Sequence, residues 1–356
     1  TVLERSVPGA EASSAAGDIL GPSLECDEPG PLYALCRRSL DLYPAWTQAL
    51  TASSGVDVEF VRSGGLLVAF DAAEERRLAL RAATLRALHL PHELWDAATL
   101  RQREPAIASG ACAALHLPNE ARVEPTALMR ALTEACKAAG VRFVQDRVLG
   151  IEDAGGPDGA GAPDAASAAL NGAGARLFVR TATGELPARD VVLAAGAWSA
   201  TVPGSGLPID AVQPARGQMA VLRFPTPPLR AVVFSERGYL VPRDDGRVLC
   251  GSTLEFVGFA KEVTAAGMRA ILAMAMELLP GAGDATIEAM WAGFRPFSRD
   301  HLPLIGPGAR PGLWLATGHH RNGILLAPAS AELLAAMVCG EAPPLDPRAF
   351  AVDRVA

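Results

Sequence analysis

Paired cysteines are missing from this sequence. Its six, Cys26, Cys36, Cys112, Cys136, Cys250 and Cys339, include no C-x-x-C pair. That excludes the common zinc and dithiol motifs and points to free thiols in a reducing compartment, the cytoplasm. Metal spacing is also missing. His89 and His92 are three apart, but Pro91 lies between them and ends any helix there. No run of Lys or Arg occurs, and the formal net charge is -7. A nucleic-acid partner needs clustered cations, so none is expected. No apolar stretch approaches the roughly 18 residues of a membrane span. The opening, Thr1-Val-Leu-Glu-Arg5, has no leader character and reads as the middle of a fold. Two glycine pairs, Gly159/Gly161 and Gly172/Gly174, lack the third glycine and the strand–helix context of a dinucleotide turn.

What is present is a large apolar fraction and a distinctive C-terminal string. The 356 residues are 50% apolar and 20% charged, enough for about two domains with a sizeable core. Leu313–Thr317 reads as a buried strand, and Ser330–Val338 as a helix ending at Gly340. Between them lies Gly318-His-His-Arg-Asn-Gly-Ile-Leu-Leu-Ala-Pro328. Strand, glycine-bracketed turn and helix start together aim backbone N–H groups at a ligand.

Elsewhere, Val2-Leu3 reads as a short strand ending in Glu4, and Ser13 to Gly17 as a run of small residues that lets backbone approach a ligand. Leu32–Leu50 has one broad apolar helical face. Asp71 caps a charged helix that extends to about Leu88. Pro125 starts a helix that stops at Gly140, and the strands around it suggest a parallel crossover. Residues 153–175 are aperiodic and read as a solvated insertion. From Ala211 to Thr253 many short strands with tight turns suggest an antiparallel sheet. Arg295 stands in a largely apolar strand and needs an anion. The residues alone leave two readings open: an internal ion pair with Asp300 or a glutamate, or an external carboxylate.

Five strings in order, Val191–Ser199, Gly238–Arg243, Trp291–Pro296, Pro303–Gly306 and Gly318–Pro328, resemble the D-amino-acid-oxidase group of FAD flavoproteins, particularly its glycine-oxidising members. The resemblance covers essentially the whole chain. It implies an α/β (α+β overall) architecture. A Rossmann-like FAD-binding domain would comprise 1–54, 119–203 and 298–356. A mostly antiparallel substrate domain would comprise 55–118 and 204–297. The family opens with a strand and a G-x-G-x-x-G turn that cradles the pyrophosphate. No such segment precedes Val2 here. The expectation is a fragment or a misplaced start that holds FAD weakly unless the segment is supplied.

The resemblance also implies residue roles. Arg295 and Tyr239 would hold the substrate carboxylate, Arg321 would lie near substrate and flavin, and Gly21 would leave room at the pocket mouth. Glu4 would bind the adenosine ribose, with Arg5 beside it and Val148 against the adenine. Ser13, Ser14, Gly17, Asp18 and Ile19 would run along the flavin, Asp18 standing where a small residue is usual. Ala195 and Gly196 would allow close passage of the chain. His319, His320, Arg321, Asn322, Gly323, Ile324 and Leu325 would present backbone N–H groups to the ring. No catalytic acid or base and no metal is implied. FAD would be non-covalent, since no cysteine lies between Arg295 and Arg321. The implied reaction is oxidative deamination of glycine, sarcosine or a D-amino acid, with dioxygen as acceptor and hydrogen peroxide as product, in thiamine thiazole biosynthesis. A quinone-coupled dehydrogenase and a non-catalytic fragment are the alternatives. The family also implies a homo-oligomer.

Overall fold

The local capping signals become helices with defined ends in the computed structural model, which describes residues 1–25, 28–153 and 176–355. Asp71 accepts the N–H groups of Ala73 and Glu74, both at 2.8 Å, and starts the helix Ala72–Ala87. Thr264 caps Ala265–Leu278 through the Gly267 N–H at 3.1 Å. The long helix Pro31–Ser54 ends where Gly55 takes φ 70°, a left-handed C-cap.

One eight-stranded sheet dominates. Its spatial order is Thr286–Ser298, Val212–Arg223, Arg247–Gly251, Gly238–Pro242, Val232–Ser235, Gly65–Ala69, Ala113–Leu117 and Glu93–Asp96. All neighbours are antiparallel except Val232–Ser235 beside Gly65–Ala69. Side chains alternate across such a sheet, so one set faces the helix Ala265–Leu278. Met268, Ile271 and Met274 pack there against Val233, Leu240 and Val248. Each such buried side chain contributes about 1.5–3 kcal/mol.

Outside the large sheet, two short ladders among the described residues are parallel. Val2–Glu4 pairs with Phe143–Gln145, and Val191–Leu193 with Leu313–Thr317. This corrects the local crossover expected around the helix Pro125–Ala138. The strands before it, Ala113–Leu117 and Ala121–Arg122, belong to other sheets, and the parallel partner of Phe143–Gln145 comes from the start of the chain. Hydrophobic periodicity identifies a strand without naming its neighbour.

The C-terminal helix begins seven residues earlier than expected. It runs Gly323–Cys339 and passes through Pro328. Proline has no N–H to offer the carbonyl one turn back, and that carbonyl must find another donor. Tyr43 supplies it: its hydroxyl donates to the Ile324 carbonyl at 2.5 Å. Ser39, one turn earlier on the long helix, donates to the Leu325 carbonyl at 2.5 Å and accepts from the Ala329 N–H at 3.3 Å. The two helices also share a core containing Leu35, Leu40, Leu326 and Leu333.

A second expectation is corrected in the same place. The stretch His320–Cys339 is long and apolar enough to cross a membrane by length and composition. Part of that stretch is buried against the long helix, which accounts for its apolarity. Of the insertion 153–175, only Asp153 is described, at the end of the strand Val148–Asp153. The remainder, with both glycine pairs, lies outside the described residues, as does Cys26. Cys112, Cys136, Cys250 and Cys339 are free thiols.

Candidate active site

A cavity of about 440 Å³ opens between the large sheet, the small-residue segment 12–19 and the turn before the C-terminal helix. That volume is typical of a small-molecule site. Three elements far apart in sequence meet there because the strand Ile19–Leu20 pairs with Ala121–Arg122, and Phe297 bridges to His319.

Arg295 lies in the strand Thr286–Ser298, opposite Ala215. Its guanidinium lies over Gly217, where a Cβ would stand 2.1 Å from Nη1. Glycine is required there because any side chain would displace the arginine. Nη2 donates to Ser252 Oγ at 2.6 Å and Nη1 to the Thr253 carbonyl at 3.1 Å. Both acceptors are neutral. Asp300, the internal partner the sequence allowed, pairs with Arg354 at 2.6 Å instead. Among the described residues Arg295 has no carboxylate partner, so a half-buried positive charge faces the cavity.

Tyr239 lines the same cavity, its ring stacked on Phe234 with centroids 5.3 Å apart. Its hydroxyl lies 3.3 Å from Met219 Sδ, a weak partner. Gly17 passes close beneath it, since a Cβ there would be 2.7 Å from the hydroxyl.

Arg321 also lines the cavity, but its charge is taken. Nε and Nη2 donate to Glu25 Oε2 at 2.6 and 2.5 Å. Gly21 does not line the cavity. The backbone turns there into the short helix Pro22–Glu25, and a Cβ would strike Leu24 at 2.8 Å. Arg237, at the rim, pairs with Glu277 at 2.8 Å and Glu74 at 3.3 Å.

Asp18 borders the cavity, is buried and forms a direct ion pair with Arg243. Burial lifts its carboxyl to about 7, against the pull of Arg243. Its φ of 70° is left-handed, a conformation Asp tolerates better than most residues. The pair ties the small-residue segment to the large sheet.

The turn Gly318–Asn322 holds two neutral histidines. Burial depresses His319 to about 4, and the surface it leaves uncovered lines the cavity; its Nε2 lies 3.1 Å from Ser330 Oγ. Burial, then the nearby Arg295 and Arg321, depress His320 to about 3. Gly323 and Ile324 line the cavity at the start of the C-terminal helix, whose N-cap, Asn322, makes no side-chain cap. The positive end of a 17-residue helix therefore faces the cavity.

The other expected cofactor residues are dispersed. Ser13, Ile19 and Gly196 line the cavity; Ser14, Ala195, Asn322 and Leu325 do not. Glu4 ends the first parallel strand and accepts the Ser6 N–H at 2.9 Å. Val148 pairs with Thr181 at the edge of another sheet. Arg5 lies over the Trp198 ring at 4.0 Å and pairs with Glu11 at 2.7 Å. Sequence reasoning missed Gly217, Ser252 and Glu25. Glu25 carries no local signal, because its partner is 296 residues away. Gly217 is legible only once the strand Val212–Arg223 is placed beside Arg295.

These walls fit the ring end of a flavin. Small residues and backbone line two sides of the cavity, and a helix start closes a third. Together with the parallel ladders and the antiparallel roof, the site defines an oxidoreductase of the FAD-binding kind. The FAD dependent oxidoreductase family model matches residues 1–337, and the chain belongs to that family. It is 34% identical to the glycine oxidase of Pseudomonas putida, over 99% of this chain and 91% of that one. It is 34% identical to the bifunctional protein ThiO/ThiG of Trichormus variabilis over 94% of this chain, spanning about half (48%) of that relative's length. The solved glycine oxidase of Geobacillus kaustophilus superposes with TM-score 0.89 at 30% identity, covering 98% of this chain and 90% of that one.

Proposed function

We propose that this chain oxidises glycine or another small amine bearing one carboxylate, such as sarcosine, and passes the electrons to dioxygen. One observation carries the reading: Arg295 lines the cavity with neutral partners only among the described residues. A planar guanidinium left without an acid matches a substrate carboxylate, bidentately where geometry allows. Tyr239 offers a hydroxyl from the same sheet to the second carboxylate oxygen. Bound FAD supplies the redox chemistry, acceptance of a hydride from the substrate α carbon and return of two electrons to dioxygen as hydrogen peroxide. The residues of this chain bind and orient. Arg295 fixes the acid end, the depressed histidines stay neutral so that no second cation competes for it, and the small-residue segment keeps space for the ring. The substrate's imine leaves and hydrolyses to the 2-oxo acid and the amine, ammonia from glycine and methylamine from sarcosine.

Glu4 would hold the ribose and the Gly323–Leu325 backbone the ring's polar edge. The relatives' names add a place for the product in thiamine supply. The test is peroxide release from glycine, sarcosine and D-alanine by the FAD-loaded protein. No peroxide, with reduction of an added quinone instead, would transfer the reading to a dehydrogenase.

A further inference from the structure

Hydroxyl groups around the cavity can be sorted by where their protons go. Thr317 donates to the Gly196 carbonyl at 3.0 Å, and Ser235 to the Gly238 carbonyl at 3.4 Å. Thr253 accepts the Gln218 N–H at 2.9 Å and donates to Glu255 at 3.2 Å. Ser252 differs. Its one side-chain hydrogen bond among the described residues joins it to Arg295 Nη2 at 2.6 Å. A guanidinium has only N–H groups to offer, so the serine oxygen must accept there. Its own proton is left without an acceptor among the described residues, and the residue lines the cavity.

The chain sets that proton beside the groups that face a substrate's acid end. Nη1 of the same guanidinium donates to the Thr253 carbonyl at 3.1 Å, so Ser252 and Arg295 are fixed relative to each other. The preceding residue, Gly251, passes under Tyr239, where a Cβ would stand 2.7 Å from the phenol oxygen. Guanidinium, serine hydroxyl and tyrosine hydroxyl therefore share one stretch of cavity wall.

We propose that Ser252 is a substrate-binding residue: it accepts from Arg295 and donates its own proton to the carboxylate that Arg295 holds. This deepens the amine-oxidation reading and rests on it. A hydrogen bond to an ionised acceptor is about twice as strong as a neutral one. The serine proton adds affinity and limits how the carboxylate can turn on the guanidinium.

The experiment compares Ser252→Ala and Ser252→Thr with the unaltered chain, each loaded with FAD. Glycine kcat/KM should fall at least about tenfold in Ser252→Ala and stay within about threefold in Ser252→Thr, which keeps the hydroxyl. Acetate serves as an inert carboxylate, its affinity read from the rise in thermal midpoint. A serine that merely occupied Arg295 would release an N–H to the ligand when removed, and acetate would bind as well or better. A serine that donates should leave acetate at least about threefold weaker in Ser252→Ala, with Ser252→Thr close to the unaltered chain. Three results overturn the proposal: no acetate binding to the unaltered chain, acetate affinity or glycine kcat/KM within about twofold in Ser252→Ala, or a threonine variant as impaired as the alanine one. If the unaltered protein releases no peroxide from any amine, the parent reading fails, and the acetate comparison still decides whether Ser252 contacts a carboxylate.

Discussion

Arg243 and Arg295 follow or occupy strands of one sheet and face the same small-residue segment, yet the fold treats them oppositely. Arg243 is 3% exposed, is met by the buried carboxylate of Asp18 and donates to the Val123 carbonyl at 3.2 Å. Arg295 donates to a hydroxyl and a carbonyl and meets no acid among the described residues. A buried cation is tolerated only when paired or offered a partner from outside. Arg243 therefore belongs to the architecture, and Arg295 to what the architecture binds.

The largest effect should come from breaking the structural pair. Asp18→Ala leaves an unmatched guanidinium in the interior, and such deletions cost about 3–5 kcal/mol. Urea unfolding should show a loss on that scale. A loss below about 1 kcal/mol would mean that Arg243 finds another partner and that the contrast between the two arginines is overstated. Arg295→Met should behave in the opposite way. Glycine kcat/KM should fall about 100-fold, near 2.7 kcal/mol of transition-state binding. Unfolding free energy should move by less than about 1 kcal/mol, because no buried acid is orphaned. If stability falls and catalysis does not, the roles are reversed.

The contrast explains what was legible beforehand. Arg295 stood out because a charge interrupted an apolar strand, yet sequence left its partner undecided between an internal acid, Asp300 or a glutamate, and a substrate. The Arg354–Asp300 pair removes Asp300, and among the described residues no glutamate pairs with Arg295. Asp18 was visible as an odd residue in a run of small ones, but its partner is 225 residues away. Caps at Asp71, Thr264 and Gly55 were readable because their causes are local. The crossover around Pro125–Ala138 was misassigned because strand pairing is not local. The start of the C-terminal helix was misplaced because the helix continues through Pro328, and the hydroxyls that make this possible come from another helix.

That repair gives a third, smaller test. Tyr43→Phe removes the donor to the Ile324 carbonyl while keeping the buried ring. Leaving one buried acceptor unsatisfied costs about 1–3 kcal/mol. The loss should appear in urea unfolding, and hydrogen exchange should speed up in the first turns of Gly323–Cys339. Because Ile324 also lines the cavity, the effect should reach ligand binding more than an equal loss in Ala72–Ala87 would.

The smallest expected effect concerns the neutral histidines that leave Arg295 as the unmatched charge. Burial lowers His319 from 6.5 to about 4 in the folded chain. Between these values the unfolded chain binds a proton that the folded chain does not, so stability falls on acidification. The loss begins near pH 6.5, approaches its limit near pH 4 and amounts to on the order of 1–2 kcal/mol at about pH 5. His320, lowered to about 3, acts with the same sign. In His319→Gln the change in unfolding free energy between about pH 7.5 and about pH 5 should shift in favour of the folded chain by on the order of 1–2 kcal/mol, the His320 share and the opposing share of Asp18, whose carboxyl burial lifts to about 7, being common to both proteins. An unchanged pH profile would mean that His319 protonates freely in the folded state. A second cation would then stand in the cavity wall at mildly acidic pH, and Arg295 would no longer be the only unmatched charge available to a substrate carboxylate.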